Sequence, residues 1–186
     1  MSTQHAIVVG HDGSSFSDDA LRWALRWAAR TGLEVVLVRS WSITTAPRPT
    51  TATAGYVPPL ADYAEAVRER LRADTAALRE TAPEVVVRFE AAHGAAANRL
   101  VALSEQAELV VVGPRGRGGF RGLVLGSVAE QVSRHAHCPV VVVRGNADPA
   151  DAERTMVLDS AFEDGAFEDG TVEDGTVEDG AFEDET

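Results

Sequence analysis

The chain contains no lysine; all seventeen basic residues among its 186 are arginine. GC-rich codon usage would account for this without any function, but one chemical consequence follows. No lysine-dependent mechanism is available, including the phosphate-gripping lysine of a Walker-type loop. Cysteine is nearly absent as well. Cys138 stands alone, so no intramolecular disulfide can form, and a reducing compartment suits the chain. No apolar run approaches the ~20 residues that a membrane span needs. Residues 1–5 show no basic-then-apolar leader pattern, so a cytoplasmic protein is expected.

Charge is unevenly distributed. The formal net charge is −12, yet residues 147–186 hold fifteen acids against the single base Arg154, a net of −14. The first 146 residues carry fourteen acids and sixteen arginines, a net of +2. A nearly neutral body is neither generally acidic nor built as a strong nucleic-acid binder. Residues 1–146 are therefore expected to form one domain with a sizeable core, and 147–186 an acidic tail. From Phe162 the tail repeats FEDGA-FEDGT-VEDGT-VEDGA-FEDET. One apolar residue in each unit builds no core, so disorder and a solubilising role are expected. The spacing is not that of an EF-hand loop.

Within the body, short apolar runs alternate with helical patterns. Ala6–Val9 reads as a buried strand, ended by Gly10 and the turn-like His11-Asp12-Gly13-Ser14-Ser15. Ala20, Leu21, Ala24, Leu25 and Ala28 then mark one helix face, with Ser15 and Asp18 as a capping pair and Gly32 as the stop. Trp23 and Trp27, one helical turn apart, either pack together or stand exposed. Val35–Val38 is a second strand, running on to Ser40 and Trp41. Residues 42–58, rich in Thr, Pro and Ala, read as a long flexible loop. A helix is expected from Leu60 to about Thr81, where Pro83 prevents continuation. Val85, Val87, Phe89 and Ala91 alternate with Glu84, Val86, Arg88 and Glu90, as in a strand wet on one face at a sheet edge. Helices near 95–106 and 128–136 flank a fourth strand, Leu109–Val112, and the final run is Pro139–Val143.

The order β-α-β-α-β-α-β-α-β implies a doubly wound, five-stranded parallel sheet with helices on both faces. Ligands in such sheets sit beyond the carboxyl ends of the strands, where strand order reverses. Two loops are equipped for this, 10–15 and 113–127. The last run, four consecutive valines, would be a liability as an uncovered edge. Pairing with the same strand of a second subunit would cover it, which predicts a homodimer through Pro139–Val143; a covering helix is the alternative.

The stretch 113–127 packs six glycines and three arginines between a strand and a helix. Glycines permit close approach and positive φ, and a helix amino terminus offers N–H groups to an anion. Gly113, Gly116 and Gly126 would shape such a cradle, with Ser127 starting the helix. GxxxxGK[ST] is impossible without lysine, and no register gives GxGxxG. Ser127 with Glu130 is equally an S-x-x-E capping box, and Asp12 could be turn chemistry alone. Arg115 is favoured as a phosphate contact, while Arg117 and Arg121 are left open as solvated charges. "RGRGGFRG" resembles an RNA-binding RGG box, though such boxes recur in disordered tracts. His135-Ala136-His137-Cys138 has metal-capable side chains but no second cluster; the histidines better suit a helix carboxyl end. Ser14 and Ser15 beside His11 fit turn and cap better than nucleophile and base, and no catalytic residue is assigned.

The spacing Gly113-x2-Gly116-x9-Gly126-Ser127 resembles the nucleotide-binding motif of ATP-binding universal stress proteins. The early "VVGHDGS" and the closing "SVAEQVSRHAHCPVVVVR" are similar too, and the resemblance covers about residues 4–144. It implies an adenine-nucleotide-binding α/β fold with strand order 3-2-1-4-5, ATP as cofactor with magnesium left open, and dimers through the last strand. It also implies a nucleotide-dependent regulatory module rather than a fast enzyme, with weak ATP hydrolysis permitted. By position, Gly10 and Asp12 would belong to the site, with Asp12 at the ribose or phosphates, and the backbone around Ser40 would border adenine. Val112 and Gly113 would lie beside the nucleoside; Arg115, Gly116, Gly126, Ser127 and Val128 would surround ribose and phosphates. Two departures stand out. His11 replaces a small or apolar residue, and Pro114 replaces a frequent Ser or Thr, deleting an N–H donor and favouring an extended Gly113. An adenylyl- or phosphoryl-transfer enzyme on the same fold is a second reading, and RNA binding a third. If the acidic tail folded onto the arginine loop, its removal would tighten ATP binding at low salt more than at high salt.

Overall fold

The computed structural model describes residues 6–116 and 125–145. The expectations for the amino terminus, for Arg117 and Arg121, and for the tail at 147–186 fall outside those residues.

Five parallel strands form one sheet: β1 (Ala6–Gly10), β2 (Glu34–Trp41), β3 (Val87–His93), β4 (Leu109–Val112) and β5 (Val140–Val142). Their spatial order is β3-β2-β1-β4-β5, and Val8 of the central strand stands beside Val36 and Val110. Ala6, Ile7, Val8 and Val9 are all 0% exposed, because helices cover both faces. That burial is why β1 reads as an unbroken apolar run rather than an alternation. On one face lies α1 (Ser15–Thr31), seated on β1 and β4 through the stripe Leu21, Ala24, Leu25 and Ala28. On the other face α4 (Ala96–Ser104) and α5 (Ser127–His135) press Leu100, Leu103, Ala129 and Val132 onto Val8, Val36, Val38, Val110 and Val112. The edge strand β3 is half-buried and pairs with β2, as its alternation predicts. At the opposite edge β5 pairs with β4, its three valines half-buried.

Two local expectations change, and the choice left open for the tryptophan pair is decided. The cap of α1 is Ser14, not Ser15: its Oγ accepts the N–H of Ser17 at 3.3 Å. Asp12 Oδ1 fixes Ser14 from outside, accepting its N–H at 3.0 Å and its hydroxyl at 2.7 Å. Asp18 instead turns toward His11. The long helix expected over 60–81 breaks at Thr75 into α2 (Leu60–Asp74) and α3 (Ala76–Arg79). Thr75 is fully buried, and its hydroxyl donates to the Leu71 carbonyl at 2.7 Å, a back-bond that disturbs a helix. Lastly, Trp23 and Trp27 do pack, stacked at 5.4 Å and 8° with Trp23 buried. Gly32 ends α1 as expected, left-handed at φ 71° with its N–H on the Ala28 carbonyl.

Candidate functional site

Strand order reverses between β1 and β4, and a cleft of about 920 Å³ opens beyond their carboxyl ends. All ten residues singled out in the sequence line it. Gly10, Ser40 and Val112 lie at strand ends, Asp12 in the β1–α1 turn, and the others on the loop into α5 or on its first turn.

The β1–α1 turn is held by side chains. Gly13 takes φ 85°, a left-handed conformation that needs glycine, and this brings Asp12 Oδ1 onto Ser14. The turn-chemistry reading of Asp12 is thus realised by one oxygen. The other, Oδ2, faces the loop before α5. A Cβ built on Gly116 would stand 2.6 Å from it.

The β4–α5 loop is shaped by clearance. A Cβ on Gly113 would fall 2.9 Å from the Phe16 backbone, and one on Gly126 would meet the Arg115 Cα at 3.4 Å. None of the three motif glycines has positive φ, which corrects half of the sequence argument; close approach excludes a side chain at Gly113 and crowds one at Gly116, while Gly126 leaves ordinary contact distance. Pro114 is buried, and its carbonyl accepts the Gly126 N–H at 2.7 Å, drawing the two ends of the loop together. Arg115 lies over the Phe16 ring, 4.9 Å from its centroid.

Ser127 is not a cap. Gly126 occupies that position in extended conformation, Glu130 N–H reaches the Gly126 carbonyl at 2.9 Å, and no side chain caps the helix. The capping-box reading therefore fails. Ser127 is the first helical residue, exposed on the cleft, beside N–H groups that have no partner within α5.

Several lining residues carried no sequence signal. Thr45, Ala46 and Pro47 form a wall, held by a turn in which Ala46 N–H meets the Ser42 carbonyl at 2.9 Å. Trp41 is buried between Tyr63 and His93. Most elaborate is a chain of polar groups under the cleft floor. Arg39 Nη2 donates to His11 Nδ1 at 2.8 Å, and Arg39 Nε to the His11 carbonyl at 3.2 Å. Arg39 Nη1 reaches Asp74 Oδ2 at 2.7 Å, while Arg70 Nε holds Asp74 Oδ1 at 2.8 Å. His11 Nε2 sits 2.9 Å from Asp18 Oδ1. Burial, reinforced by Arg39, pulls the His11 pKa below its ordinary 6.5 despite the opposing pull of Asp18. These residues lie 28 and 35 positions apart, so no local spacing could reveal them. His11 was conspicuous as a departure from the family pattern and as a base set aside beside Ser14 and Ser15, not as a partner of Arg39.

His11, Asp12 and Asp74, the titratable groups of the cleft floor, are each engaged by neighbours. Among the described residues no group of three metal-capable side chains occurs, at 135–138 or elsewhere.

Residues 4–144 match the model of the universal stress protein family. A universal stress protein of Mycobacterium tuberculosis is 38% identical over 143 residues, which are 76% of this chain and 46% of that protein. The chain spans less than half the length of the curated relatives it matches. Among solved structures, a universal stress protein in complex with cAMP aligns with TM-score 0.55 at 23% identity, covering 77% of this chain and 98% of its own. The Archaeoglobus fulgidus universal stress protein in complex with dAMP aligns with TM-score 0.52 at 21% identity, covering 76% and 99%. At such identities these two speak for the fold.

Proposed function

The chain belongs to the universal stress protein family, and from that premise we propose that its cleft binds an adenine nucleotide, ATP first among them, so that the protein works as a nucleotide-dependent regulatory module. The observation that carries this is the meeting, at the β1/β4 reversal, of a clearance-shaped glycine loop with the uncapped amino terminus of α5. Such a helix end favours anions, and the glycines let a phosphate approach backbone N–H groups. The complexes of two structural neighbours with cAMP and dAMP support the adenine part. Gly10, Asp12, Ser40, Val112, Gly113, Arg115, Gly116, Gly126, Ser127 and Val128 are the proposed contacts, in a domain taken as 1–146. Magnesium could join at the phosphates of ATP.

Isothermal titration of the full chain with ATP, AMP and a short RNA tests the proposal. Saturable ATP binding, lost in Gly116→Ala and Asp12→Ala, is expected. Failure of both ATP and AMP to bind would overturn it, and saturable RNA binding would favour the RGG-loop alternative. We further propose a homodimer through Pro139–Val143, since β5 is a sheet edge made of valine. Light scattering should give twice the monomer mass, reverting to monomer in Val141→Arg; a monomeric parent chain excludes it.

A further inference from the structure

The nucleotide reading leaves the best-held side chain under the cleft without a role. The imidazole of His11 is wholly buried, yet both its nitrogens are engaged by charged neighbours. A guanidinium can only donate, so Nδ1, facing Arg39 at 2.8 Å, must be an acceptor. The ring hydrogen then sits on Nε2 and is donated to Asp18. Arg39 therefore selects one neutral tautomer.

The same arginine also holds the backbone. Its Nε grips the His11 carbonyl, while the His11 N–H donates to the Val38 carbonyl at 2.9 Å. Residue 11 is thus pinned to α1 through Asp18 and to β2 through Arg39 and Val38. The next residue is Asp12, whose carboxylate must satisfy Ser14 on one side and clear Gly116 on the other. That carboxylate lies close over the Gly116 backbone, where an added Cβ would stand 2.6 Å from it, so its position is set by Ser14 and by the backbone of residue 11 behind it.

We propose that His11 is a positioning residue for Asp12 that works only in its neutral form; its functional readout rests on the nucleotide reading above. Protonation would place an N–H on Nδ1 against the Arg39 N–H, turning a hydrogen bond into a like-charge contact. Arg39 can turn away from the ring only by giving up Asp74, which Arg70 also holds. The contact opens, the grip on the His11 carbonyl loosens, and Asp12 loses its register over Gly116. The charged groups facing the ring are Asp18 from α1, Arg39 from β2 and Asp12 from its own turn; α2 adds Asp74 through Arg39. Burial and Arg39 together outweigh the two carboxylates, so the neutral form prevails through neutral pH.

The test compares ATP affinity of the full wild-type chain with His11→Asn and His11→Phe between pH 8 and acid. His11→Asn keeps an acceptor for Arg39 and gains no proton; His11→Phe keeps a ring and loses the acceptor. Titration of the nucleotide itself is common to all three and cancels in the ratios. Relative to His11→Asn, wild-type affinity should fall by roughly tenfold per pH unit once the imidazole titrates. His11→Phe should bind more weakly at every pH, without that extra slope. Parallel profiles for wild type and His11→Asn overturn the proposal. A second readout needs no nucleotide. In NMR spectra of the free wild-type chain, the Ser14 and Gly116 amides should shift with the same midpoint as the His11 imidazole. Amides indifferent to that titration overturn the proposal even if ATP binds. If no nucleotide binds at any pH, the cleft reading fails by itself and the amide titration decides the positioning role.

Discussion

The two loops that meet over the carboxyl edge of the sheet are built by opposite means. The β1–α1 turn is held by hydrogen bonds: Asp12 fixes Ser14, Ser14 caps α1, and His11 is tied to Asp18 and Arg39. At the described ends of the β4–α5 loop the fit is one of space: Cβ atoms on Gly113 and Gly116 would crowd Phe16 and Asp12, and Gly126 N–H closes on the Pro114 carbonyl. One loop spends its polar side chains on itself. The other leaves its helix end uncapped, with N–H groups and a hydroxyl facing the cleft. A polar turn that satisfies itself makes a wall; an uncapped helix end is where the proposed nucleotide would set its phosphates.

The largest predicted effect tests clearance. In Gly113→Ala the new methyl would lie 2.9 Å from the backbone carbonyl carbon and oxygen of Phe16, in the first turn of α1, which cannot swing aside. A loss of about 1–3 kcal/mol is expected for such overpacking, read as a lower urea midpoint; an unchanged midpoint would mean the loop is not wedged on α1. Gly116→Ala meets only the end of a carboxylate, so its stability should stay within ~0.5 kcal/mol of wild type while ATP binding is lost. Next in size comes Ser14→Ala, which removes the α1 cap and one of the two hydrogen bonds to Asp12 Oδ1. About 1 kcal/mol is expected, and a null result would show that Asp12 alone holds the turn.

A smaller effect follows from His11. Its folded pKa lies below the ordinary 6.5, because burial and Arg39 oppose its charge. The unfolded chain therefore takes up the proton first. Stability should be full above that value, decline as pH falls through it, and level off once the folded form is protonated too. Glu65 behaves separately: hydrogen bonds from Arg72 and Arg68 lower its pKa from 4.5, so its contribution is lost only in more acid solution. Thermal melts of wild type and His11→Asn should diverge below neutrality; superimposable melts would mean that His11 titrates as it does in the unfolded chain.

Much of this was legible in the sequence, for a physical reason. Strands buried on both faces must be apolar throughout, and the edge strand β3 must alternate, so element order follows from composition alone. The glycine spacing was legible as a motif, and at Gly113 a physical reason stands behind it: a side chain there would run into the Phe16 backbone. What escaped was decided by tertiary contacts. Thr75 breaks a helix that its sequence would extend, because it is buried and turns its hydroxyl to Leu71. Arg39, Asp74 and His11 look like ordinary charges until the sheet places β1 beside β2 and α2 over them. The wall at 45–47 belongs to a segment with no period at all.

The smallest stability effect separates the two serines that head the helices of these loops. Ser14 reads as a turn residue beside the expected cap Ser15 and Ser127 reads as a cap, yet Ser14 accepts the Ser17 N–H while Ser127 sits inside its helix and caps nothing. Ser127→Ala should therefore change stability by less than ~0.5 kcal/mol, since alanine suits a first helical turn at least as well. If the cleft takes phosphate, the same substitution should still weaken ATP binding, by roughly fivefold for one lost hydrogen bond of ordinary strength. Stability and binding would then part company at Ser127 and not at Ser14, where the turn and the site fall together. A Ser127→Ala chain that loses stability like Ser14→Ala would place a cap at α5 after all, and with it the contrast between a self-satisfied wall and an open receptor would dissolve.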